Sequence, residues 1–384
     1  MDEFYQGYTY TGWARLSATT LAQHLTDIEN ATMREHPFLL LLQNNGLIKY
    51  NDYGNGFDWS VKFRKPDVQG FDGENPIDFK SKNIHKKAKL EWRGYVSTET
   101  MSEKEFLANR DQAAIVKTFD NMINELTESM EQFLPTECFK DGSAAGNEHC
   151  WHGFETMYGY DGTLNVTTGE QRTANAADIV AYPSGTYAGI STELGEYGGD
   201  QRLSPNGQAA VWPNYVADPE FDFWSPLIVN YNSTAFSAQT HDWVNQGHEA
   251  VSYAITHAQR NQNMKEHTTQ AFMARNLWQP FTTKIRDKER IAVTSSLALR
   301  SLGFTNTIEW DGCEFTWDNA VPQSECYGIP LKLCQLRCMR SKLLYPEGPI
   351  WNFEKRRFQA AVTTLSNLRF KSPRNFWKTA PLTS

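Results

Sequence analysis

The sequence predicts an α+β fold, in which helices and strands occur in separate runs without a βαβ rhythm. Three observations support this prediction. Two β-type runs flank a turn-rich interval early in the chain, one long helical stripe follows them, and the last seventy residues are rich in alternating apolar and polar positions. With 384 residues, 22 Phe, 16 Tyr and 12 Trp, the chain has ample material for a core.

The first 47 residues are predicted to form an N-terminal arm with two helices. Residues 1–15 are aromatic-rich and extended, and Leu16–Arg34 has the spacing of an amphipathic helix. Pro37 begins a second short helix, which the sequence ends near Gly46.

A long hairpin is predicted next, over residues 48–98. Apolar residues alternate through Phe57, Trp59 and Val61, and a Gly/Pro/Asp interval at 66–76 separates this run from the returning one. The hairpin carries too many lysines for a packed surface, so we predict an arm that projects from the body. A two-stranded ribbon is barely stable alone and needs a surface to lie on.

One long helix follows the hairpin. Ser102 and Glu105 form a capping box at its start, and Pro135 is expected to end it. About thirty residues at 1.5 Å each make a rod of roughly 45 Å. Its predicted buried stripe consists of Ile115, Phe119, Met122, Leu126, Met130 and Phe133. A rod of this length spans a molecule, which favours a structural protein.

The remaining chain is loop-rich at first and β-rich at its end. Residues 138–235 show little periodicity. Further helices are predicted at Trp243–Arg260, Met264–Trp278 and Asp287–Leu302. Strands are predicted at Glu309–Trp317, Cys326–Arg340 and Phe358–Phe370.

Charge is distributed unevenly around a net value of −8. Residues 62–93 carry nine basic and five acidic side chains, residues 94–331 carry 14 and 31, and residues 332–384 carry 11 and two. Two interpretations stay open: solvated faces, or basic arms that meet acidic bodies on neighbouring copies. An ordinary nucleic-acid binder would be basic overall, so a nucleic-acid-binding arm protein is a weaker third class.

Other composition features exclude several classes. The longest apolar run, Phe38–Leu42, is too short to span a bilayer, so no membrane partner is expected. The acidic start of the chain is not a secretory signal. Six cysteines without regular spacing indicate free thiols in a reducing cytoplasm, with Cys326, Cys334 and Cys338 as core residues.

Two segments resemble chemical sites. Glu148–His152 contains several metal-ligand types but has no second ligand pair, so no metal is predicted. Around Asp218, the carboxylates of Glu220 and Asp222 could serve as the acid and base of a carbohydrate-active enzyme, or of a sugar-binding protein, with Trp212 and Trp224 as sugar platforms. The same pattern also describes a strand with one solvated face. No nucleophile elbow or phosphate loop is present, so neither catalysis nor a cofactor is predicted.

The order of elements and several segments together carry a resemblance. The segments are Arg34–Leu42, Trp92–Thr98 running into Ser102–Arg110, Asp141–Gly142, His152–Glu155, Trp224–Pro226, Leu302–Phe304, Trp310–Asp318 with Pro322, and Asn367–Arg374. Over roughly residues 20–378 the chain resembles the major capsid proteins of tailed bacteriophages that share the HK97 fold.

The resemblance implies a domain organisation. An N-terminal arm and helix would occupy 1–47, an E-loop hairpin 48–98, and an A-domain 140–325. A P-domain, built on the spine helix and late strands, would combine 99–139 with 326–384.

The resemblance also implies a function and partners. Copies would form hexamers and pentamers of an icosahedral shell around double-stranded DNA, assembled in the host bacterial cytoplasm and found in the virion. A portal, a separate scaffolding protein and decoration proteins are the expected partners, and no cross-linking pair is assigned. The candidate interface residues of the hairpin are Lys62, Arg64, Lys65, Phe71, Lys80, Lys82, Lys86, Lys87, Lys89 and Arg93.

Overall fold

The structure is a computed structural model that describes residues 37–70, 79, 81–108, 112–159, 179–199, 212–214, 219–260, 268–288 and 307–381. Several predicted features lie outside these residues: the arm at 1–15, the helix Leu16–Arg34, Phe71, Lys80, Leu302–Phe304 and nearly all of the helix Asp287–Leu302.

The first described element is helix α1 (Pro37–Asn44), which confirms the predicted short helix. Proline is favoured at the first position of a helix. Phe38 and the three leucines that follow it on the inner face are buried. The Leu47 amide donates to the Leu42 carbonyl at 2.8 Å across Gly46, whose φ of +63° suits glycine in this type of helix end.

The predicted hairpin is confirmed over strands β2 (Phe57–Lys62) and β3 (His85–Leu90), which pair antiparallel. This paired region is shorter than the predicted range 48–98. Strands at both ends of that range, β1 (Ile48–Lys49) and β4 (Arg93–Ser102), join a different sheet.

Strand β15 (Arg357–Phe370) organises that five-stranded sheet, because both of its edges are occupied. One edge pairs antiparallel with the whole of β4. The other edge pairs first with β14 (Tyr345–Asn352) and then with β13 (Cys334–Cys338). β1 lies parallel to β13 at the edge of the sheet. The predicted strand Phe358–Phe370 is therefore confirmed.

The long helix is observed as α2 (Glu103–Ala108) and α3 (Gln112–Cys138), with residues 109–111 outside the described part of the chain. α2 begins directly after Ser102, the predicted capping position. The 27 residues of α3 make a rod of about 40 Å, which packs against β4 and β15.

Two details predicted for this helix are wrong. It does not end at Pro135, because a proline in the last turn removes only one backbone donor, and the helix continues to Cys138. The buried stripe continues past Met130 through the fully buried Leu134 and Cys138, whereas Phe133 is 43% exposed. Leu134 lies four positions after Met130 and so stays on the same helix face.

The second sheet has seven strands in the order β10-β11-β9-β12-β16-β8-β5. These strands are β5 (Val180–Ala181), β8 (Leu227–Asn230), β9 (Gln270–Met273), β10 (Ile308–Trp310), β11 (Cys313–Trp317), β12 (Cys326–Ile329) and β16 (Trp377–Ala380). The short strands β6 (Thr186–Tyr187) and β7 (Ile190–Ser191) form a separate hairpin.

Three further helices accompany this sheet: α4 (Glu155–Tyr158), α5 (Trp243–Ala258) and α6 (Arg275–Lys288). α5 packs against β8 and β16, and α6 packs against α5 and β11. α5 confirms the helix predicted at Trp243–Arg260. The helix predicted at Met264–Trp278 is wrong, because β9 occupies its middle. All four residues of β9 are buried, and so short a segment has no period that distinguishes strand from helix.

One aromatic core joins the two sheets. The Phe154 ring centroid lies 5.2 Å from that of Phe38 and 4.8 Å from that of Phe370 in β15. Phe38 in turn lies 5.8 Å from Phe272 in β9. All six cysteines are free, and the three predicted as core thiols in the late strands are buried.

Candidate assembly surface

The inner face of the hairpin packs on the body of its own chain. We call the residues of this face, Phe57, Trp59, Phe63, Ala88 and Leu90, the root. The Trp59 ring lies 6.4 Å from both Tyr187 and Trp224, and Phe63 lies 5.7 Å from Phe223, between ring centroids. The hairpin was predicted to project from the body, but its root is held against it.

Two arginines of the five-stranded sheet also contact the rings of the root. The Arg369 guanidinium lies 4.7 Å from the Trp59 ring centroid, and Arg337 lies 5.2 Å from the Phe57 ring centroid. Asp52 fixes Arg337 through an ion pair of 2.6 Å. These cation–π contacts connect the hairpin to β13 and β15.

The body segments beneath the root are residues 187–197 and 219–224, which we call the platform. Arg64 forms an ion pair with Glu220 at 2.6 Å. The Lys86 ammonium lies 3.1 Å from the Tyr197 ring centroid, and its burial lowers the pKa of Lys86. The contacts of the platform with β2 and β3 therefore hold the root on both of its strands.

Asp222 anchors the platform to the rest of the body. This side chain has no exposure and contacts both Arg260 and Arg374 at 2.6 Å. The Trp212 indole donates to it at 3.1 Å. Burial opposes ionisation of Asp222, but Arg260 and Arg374 outweigh this and hold the pKa of the carboxyl below its usual value.

This arrangement does not fit the carbohydrate alternative. Trp212 and Trp224 are each 1% exposed, so neither presents a face to a sugar. Asp222 is neutralised by two arginines, and Glu220 is paired with Arg64. The segment forms turns and not the alternating strand that was the other interpretation. Asp218 lies outside the described residues.

The outer face of the hairpin and its continuation are exposed. Residues 64–70, 79 and 81–84, which we call the legs, run beyond the paired strands, and Lys82 bridges them to Asp67 at 2.6 Å. Val68 is 97% and Phe79 is 91% exposed. The legs thus combine charged and apolar side chains that few contacts of their own chain cover.

The structure divides the ten candidate interface residues into three groups. Lys62, Lys65, Lys82, Lys87 and Lys89 are exposed on the outer face or the legs. Arg64, Lys86 and Arg93 are half-buried and contact their own chain. Phe71 and Lys80 lie outside the described residues. The role of all ten residues in subunit contacts stays a prediction.

A second exposed surface is acidic and lies on the long helix. Glu125 and Glu128 project to solvent from α3, and Glu99 on β4 lies near Glu125. Burial and the charge of Glu125 both raise the pKa of Glu99. We call these three residues the acidic face. The acidic balance of this region was predictable from the sequence. The position of these carboxylates on the exposed side of the long helix was not.

The platform was not predicted from the sequence either, because the segments 187–197 and 219–224 lack periodicity. Their only sequence signal is a high density of aromatic residues and glycines. Contacts between such loops and a distant hairpin depend on the tertiary fold.

The segment Glu148–His152 has structural contacts. An Arg93 nitrogen lies 3.3 Å from His152 Nε2, and burial and Arg93 together lower the pKa of His152 to about 4. Cys150 Sγ lies 3.7 Å from the Lys140 ammonium. In the part of the chain that the structure describes, no three His, Cys, Asp or Glu side chains are grouped to hold a metal ion. Across the same residues, no helix is both long and apolar enough to cross a membrane.

Comparison with known proteins finds similarity in structure alone. No family model and no curated protein matches the sequence. A chain from the cyanophage A-1(L) capsid asymmetric unit matches with a TM-score of 0.52 and 13% identity, over 89% of this chain and 93% of the other. The capsid of the native GTA particle gives 0.48 and 9% over 88% and 89%, and the mature capsid of bacteriophage PhiM1 gives 0.47 and 9% over 88% and 86%.

The cyanophage match carries the fold assignment. It covers nearly the whole of both chains, 89% of this one and 93% of the other. The chain therefore has the α+β, HK97-like fold of tailed-phage capsid proteins, as the resemblance in its segments implied.

Proposed function

We propose that this chain is the major shell-forming subunit of a tailed phage, which assembles as hexamers and pentamers into an icosahedral capsid around double-stranded DNA. The observation that supports this most is the match to a capsid chain along 89% of the sequence. The location in the virion, and assembly in the host cytoplasm, belong to the same proposal.

The subunit contact that we propose joins the hairpin of one copy to the long helix of the next. The outer face presents Lys62, Lys87 and Lys89, and the acidic face presents Glu125 and Glu128. Opposite charges of this kind guide the register of two surfaces, and the exposed Val68 and Phe79 of the legs would add apolar area. Head-to-tail contacts close into rings when the rotation permits.

Further partners follow from the same proposal. Packaged DNA would lie against the inner face, and a portal, a separate scaffolding protein and decoration proteins would complete the particle. The domain division given from the sequence, with the hairpin as E-loop, is likewise part of it.

The test is particle formation by the purified chain, followed by negative-stain microscopy and size-exclusion chromatography. We expect shells, sheets or hexamers. Deleting residues 66–76 should leave the subunit folded, because the root lies outside that range, and should abolish particles. A wild-type chain that stays a compact monomer, or normal shells from the deletion, would contradict the proposal.

A charge exchange tests the specific contact. The double change Lys87→Glu and Lys89→Glu should prevent assembly at physiological salt, because it places like charges opposite each other. Adding Glu125→Lys and Glu128→Lys should restore it. Lys332→Glu, an exposed reversal away from the hairpin, is the control. Failure of the exchange to restore assembly would remove this contact but not the shell role.

A further inference from the structure

A polar cluster around the buried side chains of Lys378 and Tyr327 lies far along the chain from the hairpin, where α4 meets β12 and β16. Lys378 Nζ lies 2.6 Å from Oε1 of Glu155 and 2.7 Å from Oε1 of Glu325. The Tyr327 hydroxyl contacts both carboxyl groups, at Oε1 of Glu155 and Oε2 of Glu325. We call these four residues the carboxyl cluster.

The contacts of Tyr327 require one more proton than its own side chain supplies. A phenol hydroxyl has a single proton and can donate it to one carboxylate only. At the second contact, its oxygen faces another oxygen at hydrogen-bond distance, and two bare acceptors would repel. We infer that the carboxyl cluster binds one additional proton, shared between Glu155 and Glu325, and that this proton strengthens the join of α4 to the large sheet.

The charges of the cluster agree with this inference. Two carboxylates and one ammonium would leave a net negative charge beside Tyr327, which is fully buried, and the extra proton removes that charge. Burial raises the pKa of Glu155, Lys378 opposes this, and Glu325 adds to it. Burial works against the charge of Lys378, but Glu155 and Glu325 outweigh it and raise the pKa of the ammonium.

Other titratable groups face the cluster from each neighbouring element. Tyr158 on α4 and Tyr231 after β8 both lie near Glu325, and Cys326 of β12 lies near Tyr158. Burial raises the pKa of all three, and of Tyr327 itself, above their ordinary values. None of them therefore changes charge between about pH 5 and pH 8, so none of them competes for the shared proton in that range.

The sign of the pH effect follows from the direction of the shift. A glutamate in the unfolded chain titrates near pH 4.3. Because the folded cluster keeps its proton to higher pH, its contribution to stability is complete below that value and is lost as the pH rises through the pKa of the folded state. The cluster therefore stabilises the folded protein more at mildly acidic pH than at alkaline pH.

Glutamine substitution distinguishes the effect of the proton from that of side-chain packing, because glutamine has nearly the size of glutamate but does not titrate. In Glu325→Gln or Glu155→Gln, the amide supplies a donor that does not titrate. We expect each variant to melt at the wild-type temperature near about pH 5 and above it near about pH 8, with a difference of about 1–3 °C. Glu354→Gln, an exposed residue in the turn between β14 and β15, is the control and should follow the wild type at every pH.

Infrared spectroscopy reads the proton directly. The wild type should show a protonated carboxyl band near neutral pH that disappears at alkaline pH, and both glutamine variants should lack it. A melting difference that is constant with pH, or the absence of that band in the wild type, would overturn the inference. The infrared measurement on the wild type decides the question even where a variant does not fold. Neither measurement depends on particle assembly.

Discussion

The root and the legs of the hairpin belong to the same ribbon but differ in what they contact. At the root, two arginines of one sheet lie against Phe57 and Trp59, and rings of the platform lie against Trp59 and Phe63. In the legs, Val68 and Phe79 are almost completely exposed. The difference indicates that contacts within the chain fix the position of the root, whereas the legs stay exposed. In the proposed shell, the legs would contact a neighbouring copy. Substitutions at the root should therefore change stability, and substitutions in the legs should change assembly.

The largest loss of stability is expected beneath the root, at Asp222. Asp222→Asn leaves Arg260 and Arg374 buried without their carboxylate, and breaking a buried pair costs about 3–5 kcal/mol. Urea unfolding of the unassembled subunit measures this loss, with the exposed Glu354→Gln as the matched control.

The pH dependence of that loss has a definite sign. Because the folded pKa of Asp222 is depressed, its contribution is present above the unfolded value of about 3.9 and is lost as the pH falls through the folded value. The wild type and the variant should converge in acid. An equal gap at every pH would show that the carboxylate charge is not what holds the platform.

A smaller loss is expected within the root itself. Phe57→Ala removes a buried ring from between Trp59 and Trp92, and such truncations cost about 3 kcal/mol. Hydrogen exchange should increase in β2 and β3 and stay unchanged in β15. If exchange increased equally in β15, the hairpin would not be a separate unit held by its root.

The two smallest losses are expected at Arg64, where the root meets the legs, and at Lys82 within the legs. Arg64→Ala removes an ion pair with Glu220 that solvent partly screens, so at most about 1 kcal/mol is expected. Lys82→Ala, in the exposed pair with Asp67, is the matched change in the legs and should cost less than about 0.5 kcal/mol. A cost for Lys82→Ala above that for Arg64→Ala would reverse the comparison.

Local periodicity in the sequence predicted the elements but not their contacts. The stripe of α3 was predictable from Phe119 through Met130, because one buried face imposes a spacing of three and four. Its last position was misassigned to Phe133, since Phe133 and Leu134 both fit that spacing. The strands β2 and β3 were predictable from alternation and a turn between them.

The attachment of the root was not predictable in the same way. Trp59 alternates with polar residues, which predicts that its side chain lies on a buried face of the hairpin. The alternation does not predict which residues pack on that face. Its partners, Tyr187, Trp224 and Arg369, come from distant loops and a late strand. β9 was hidden for a related reason, because its four residues, Gln270 included, are all buried and show no alternation of polar and apolar positions.

The placement of β15 and β16 has a consequence for synthesis on the ribosome. β15 pairs with three other strands of the first sheet, and β16 lies between β12 and β8 in the second. Neither sheet can close until residues 357–380 have left the exit tunnel. A nascent chain, or one cut short before that point, would expose unpaired strand edges and hold no finished surface. In the proposed shell, translation would thereby delay contacts between subunits until residues 357–380 are in place.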